Sequence, residues 1–95
     1  MSAEHARGRL EALRRIAEEG AAKGWHTVPA LAAVLARIVR VDHPNADPDR
    51  PPDPFLAGWA VAVIDVAEQI ATAGTTGLAA FLQAAVLDAE LMAVA

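Results

Sequence analysis

Residues 42–54 read DHPNADPDRPPDP, and this stretch decides the architecture. Five prolines and five charged side chains fall within 13 residues. Proline lacks the backbone donor and locks φ, so no helix or strand continues through such a run. On both sides the sequence is of the opposite kind, rich in alanine with apolar residues at helical spacing. The expected fold is therefore all-α. It is a small four-helix bundle in one domain, 1–95, built as two helical hairpins joined by a Pro/Asp-rich loop over 42–53.

Upstream of the loop, a helix is expected over about 28–41, entered from Thr27 with Pro29 in its first turn. Val28, Leu31, Val34, Leu35, Ile38 and Val39 cover half of its cylinder, with Arg37 and Arg40 opposite. A first helix is expected over about 3–23, with Ser2 as N-cap and Gly24 just past its end. Its apolar stripe is Ala6, Leu10, Leu13, Ile16, Ala17 and Gly20. The rest of that helix is a charge ladder, with Arg7–Glu11, Glu11–Arg15, Arg14–Glu18 and Arg15–Glu19 at i,i+4 spacing. Such pairs contribute only about 0.2–0.5 kcal/mol each. One narrow stripe and a charged remainder describe an outer helix.

Downstream, Asp53-Pro54 is a helix start, with a capping carboxylate followed by proline at the first helical position. The third helix runs over about 54–73. Phe55, Leu56, Trp59, Val63, Val66 and Ile70 share one face, while Asp65, Glu68, Gln69 and Thr72 share another. Gly74-Thr75-Thr76-Gly77 breaks the chain again, and a fourth helix over about 76–94 follows, capped by Thr75 or Thr76. The uncharged window Gln69–Leu87 is 19 residues long, the length of a membrane span. It contains this breaker run and two glutamines, so it reads as a helix end, a turn and a helix start. No membrane partner is expected.

Composition narrows the function. Of the 95 residues 24 are alanine, the strongest helix former and one that lets helix backbones approach closely. A chain this short buries only about two-thirds of its unfolded surface, so its stability is expected to lean on association. There is no cysteine, which excludes disulfides, thiol catalysis and thiolate metal sites. Together with a charged N-terminal segment that has no signal-peptide character, this gives a cytoplasmic expectation. The net charge of −4 is unevenly placed. Residues 1–41 carry seven bases and four acids, residues 42–54 one base and four acids, and residues 55–95 four acids and no base. A basic first half docking beside an acidic second half accounts for this. The basic footprint is too sparse for a nucleic-acid partner.

Motifs for chemistry are few. His5, His26 and His43 lie on different segments, and no pair has the three- or four-residue spacing of a helix-borne metal site. Asn45, Asp47 and Asp49 match the opening of a calcium loop, but Arg50 and Leu56 stand where glycine and glutamate are required. The only serine is Ser2, there is no tyrosine, and Gly74–Gly77 lacks the lysine of a phosphate loop. No catalytic residue, metal or cofactor is assigned. Asp65 interrupts an apolar run. Were it buried, Arg37 or Arg40 would have to neutralise it, forming a buried ion pair. Trp25 is expected as a plug over the bundle end and Trp59 as core, and these two are the aromatics open to a ligand.

The fourth helix carries the functional signal. Leu78, Phe81, Leu82, Ala85, Ala89 and Met92 form one stripe, which meets the need to face its own core. A second stripe, Leu87, Leu91 and Val94 with Ala80 and Ala84, lies almost opposite. A surface helix in a monomer has no use for it. The expected function is a non-enzymatic interaction or assembly module, acting as a homo-oligomer, a dimer first, or as a subunit of a larger complex. Leu87, Leu91 and Val94 would be its interface. The alternative is a small-molecule binder with an apolar pocket between helices.

Overall fold

The computed structural model describes residues 3–42 and 53–94, with backbone alone for residues 38–42. Four helices are present: α1 (Ala3–Lys23), α2 (Val28–Asp42), α3 (Pro54–Ala73) and α4 (Leu78–Val94). The fold is a small all-α bundle with no strand among the described residues. The loop 43–52, with His43, Asn45, Asp47, Asp49 and Arg50, lies outside them, as does Ser2.

The helix ends follow from local chemistry. The Asp53 carboxylate accepts the Phe55 N–H at 2.9 Å, and Pro54 occupies the first helical position. The Gly74 N–H closes α3 on the Ile70 carbonyl at 2.7 Å. Gly74 and Gly77 have φ of 63° and 72°, values that a side chain would strain. This two-glycine turn delays α4 until Leu78, and Thr75 contributes its carbonyl, which accepts the Leu78 N–H at 3.3 Å. Thr27 also departs from its expected role. It ends a 3-10 turn, Trp25–Thr27, and its hydroxyl donates back to the Gly24 carbonyl at 2.7 Å.

α1 is the hub of the bundle, which corrects its reading as an outer helix. It packs most extensively on α3 and next on α4, whereas α3 and α4 barely touch. α2 joins chiefly through α3. The chain runs as two helical pairs, but the close packing crosses between the pairs. The physical reason lies in residues that carry no hydrophobic signal. Gly8 and Ala12 on α1 are buried, widening the stripe of Ala6, Leu13, Ile16 and Gly20 to nearly half the cylinder. On α3 the matching positions are Gly58 and Ala62, also four residues apart and buried. A Cβ on Gly8 would overlap the Phe55 carbonyl, and one on Gly58 the His5 carbonyl. The two backbones therefore touch at this crossing.

The core fills the space beside that contact. Its largest fully buried side chains are Leu13 and Ile16 from α1, Val28 from α2, Val63 and Val66 from α3, and Leu78 and Leu82 from α4. Trp59 packs on its edge, tilted against the Phe55 ring at 6.4 Å between centroids. Val34, Leu56 and Met92, expected on core faces, are exposed. Each sits on a helix with neighbours on too few sides to cover so broad an apolar face.

The charge ladder on α1 is redirected in the same way. Arg9 reaches Asp88 at 2.7 Å and Arg14 reaches Glu90 at 3.1 Å, both across to α4. Among the described residues the i,i+4 pair that forms is Glu19–Lys23, at 2.9 Å. The basic half of the chain does dock beside the acidic half, within one chain.

Candidate interaction surface

α4 has two apolar faces, separated by Asp88 on one side and by Gln83 and Glu90 on the other, yet among the described residues it has one substantial neighbour, α1. Leu78, Leu82 and Ala89 point straight at the core and are buried, with Phe81 and Ala85 half-buried beside them. On the far side Leu87, Leu91 and Val94 are 57%, 70% and 83% exposed. Their spacing of four and three residues puts them within about 60° of one another around the axis. Ala80 and Ala84 continue the stripe toward the N-terminus and are exposed too. Met92, also exposed, lies away from this stripe, on the side of Phe81 and Ala85.

The electrostatics of this face are quiet. The acidic residues of α4 are Asp88 and Glu90, and both are engaged by arginines of α1. Gln83 is the remaining polar residue along the stripe. The surface offered to solvent is thus a neutral apolar strip whose flanking carboxylates already have cations.

Trp25 is brought to the edge of the same face. Its ring lies over Gly20, where a Cβ would meet the indole at 2.5 Å, so it plugs the end of α1. It then lines a groove of about 440 Å³ with Ala17, Ala21, Gln83, Val86 and Leu87. Trp59 lies elsewhere, half-buried on α3.

Asp65 is half-buried and opens onto a groove shared with Arg9, Glu68, Gln69 and Asp88. Arg37 is exposed and makes no ion pair with Asp65. The Arg40 side chain is outside the described residues. Asp65 thus faces the α4 side of α3, so the demand for a buried partner on α2 does not arise.

His5 is half-buried on α1 and His26 exposed in the 3-10 turn. Among the described residues no cluster of histidine, aspartate and glutamate is arranged to hold a metal ion. A second, largely apolar groove, of about 330 Å³, runs between α2 and α3 and is lined by Ala36, Ala60, Val63, Ile64, Ala67 and Ala71 together with Glu68. Among the described residues α3 is the helix long and apolar enough to cross a membrane, and its Gly58, Ala62, Val63 and Val66 are buried in the bundle.

Compared with models of protein families, with curated proteins and with solved structures, the chain matches none.

Proposed function

We propose that the protein is a non-enzymatic helical interaction and assembly module, working as a homo-oligomer or as a subunit of a larger complex through the outer face of α4. The observation that carries this reading is the exposure of Leu87, Leu91 and Val94 on one side of a folded, capped helix. Burying such a side chain fully gains about 1.5–3 kcal/mol by transfer. Association entropy offsets part of that gain. Contiguous exposed apolar patches rimmed by polar residues mark interaction sites. The test is the double variant Leu87→Asp/Leu91→Asp, followed by light scattering and thermal melting. A wild type that self-associates and a variant that is a folded monomer support the reading. An oligomer unchanged by the variant, or a wild type that neither self-associates nor captures a partner through this face, refutes it.

One observation favours a second reading, small-molecule binding. The α2–α3 groove is almost wholly apolar and includes the half-exposed Ile64. An apolar fluorescent probe separates the two. Under the assembly reading it is displaced by self-association and lost in the α4 variant; under the binding reading its uptake is unaffected by changes in α4 and abolished by Ile64→Asp.

A further inference from the structure

We infer that the α4 face is covered by a second copy of this chain, with the two α4 helices antiparallel across a twofold axis beside Leu87. The inference rests on the reading of α4 as an assembly face and goes further by naming the partner and its orientation. The argument is the gradient of side-chain size along the exposed strip. Ala80 and Ala84 occupy its N-terminal half, Leu87 its middle, and Leu91 and Val94 its C-terminal half. From Ala80 to Val94 the strip is about 21 Å long at 1.5 Å per residue.

An antiparallel pair centred on Leu87 places Val94 of one copy opposite Ala80 of the other, and Leu91 opposite Ala84. At both ends of the strip a large side chain meets a small one, and Leu87 meets its own copy at the axis, so the contact fills evenly. A parallel pair sets Leu91 against Leu91 and alanine against alanine, overcrowded at one end and void at the other. The strip is therefore complementary to itself only when reversed, so of the two arrangements a twofold axis allows for a helix pair, parallel and antiparallel, the size gradient selects the antiparallel one. Charge agrees. Asp88 and Glu90 are held by Arg9 and Arg14 of their own chain, so two copies can approach without opposing bare carboxylates, while a basic foreign partner finds no free acid on this strip. The Trp25 groove beside Leu87 extends the contact at its rim. One helix face and its rim fall at the small end of specific interfaces, so the dimer should dissociate on dilution.

Because the chain has no cysteine, single-cysteine variants report the geometry cleanly. Disulfides form only when Cα atoms come within about 7 Å. The variants are Leu87→Cys, Ala80→Cys and Val94→Cys, each checked for its melting transition and then oxidised with diamide, which takes up the two thiol hydrogens. The expected result has three parts: Leu87→Cys links to itself, Val94→Cys alone stays monomeric on a denaturing gel, and a mixture of Ala80→Cys and Val94→Cys chains gives the covalent heterodimer. Ala84→Cys mixed with Leu91→Cys repeats the test should one variant misfold. Self-linking of Val94→Cys would show a parallel pair and overturn the inference while leaving the assembly reading intact. A wild-type dimer with no linked pair would likewise move the contact to another surface. A wild type that is monomeric by light scattering at high concentration overturns the second copy as partner, and only capture of a different protein through α4 would then keep the assembly reading.

Discussion

Gly8 and Gly58 occupy equivalent places on opposite sides of one helix crossing: Gly8 rests on the carbonyl three residues before Gly58, and Gly58 on the carbonyl three residues before Gly8. Neither position has room for a methyl group, because the obstacle in each case is backbone. Alanine should therefore be harmful at both, although it is the better helix former by about 1 kcal/mol. We expect Gly8→Ala and Gly58→Ala each to destabilise the fold by about 1–3 kcal/mol in urea titrations. The double variant should cost less than the two losses added, since the helices need separate only once. Additive or stabilising effects would show that the crossing is looser than described.

Leu82 and Leu91 lie nine residues apart on α4, one fully buried and the other largely exposed. Leu82→Ala should cost about 2–5 kcal/mol at any protein concentration. Leu91→Ala should cost less than about 0.5 kcal/mol in dilute solution. Its effect on the melting temperature should grow as concentration rises, because association stabilises only the folded chain. Melting curves over a hundredfold range of concentration decide the matter.

The cap at Asp53 holds the entry to α3, the principal partner of α1. Asp53→Ala should lower stability by about 0.5–2 kcal/mol, and Asp53→Asn by much less, as both side chains accept the Phe55 N–H. Equal losses from the two would point to the charge rather than the hydrogen bond.

Arg14 and Glu90 are both substantially solvated, and Asp88 is the exposed partner of a more covered Arg9. Arg14→Gln should change stability by no more than about 1 kcal/mol, with the difference shrinking as salt is added. A larger loss that persists at high salt would mean that the arginine stem, rather than its charge, supports α4.

The helical class, the four segments and the cap at Asp53 were legible because each has a periodic or local chemical signature. The exposure of Leu87, Leu91 and Val94 was legible for the same reason: two apolar stripes on one helix exceed what one core can cover. The centrality of α1 was not legible. Its contact surface includes Gly8 and Ala12, which contribute shape rather than hydrophobicity, and its charged remainder imitates an outer helix. The small residues at four-residue spacing on both α1 and α3 were the available sign, but spacing alone does not say which helix they meet. The partner of each arginine was hidden too, since a ladder of i,i+4 acids competes on paper with Asp88 and Glu90 far along the chain.

The hub position of α1 has a consequence for how the molecule comes into being. α1 emerges from the ribosome before either of its two main partners, and α4 follows it by more than fifty residues. Until α3 emerges, the surface of Leu13 and Ile16 has nothing to cover it except the short packing against α2, and until α4 follows it stays partly uncovered. Folding must wait for sequence-distant pieces to return, which slows it relative to bundles whose neighbours in sequence are neighbours in space. During that interval the nascent chain presents an amphipathic helix to whatever is nearby, so its yield in the cell should depend on chaperone capacity more than its size suggests.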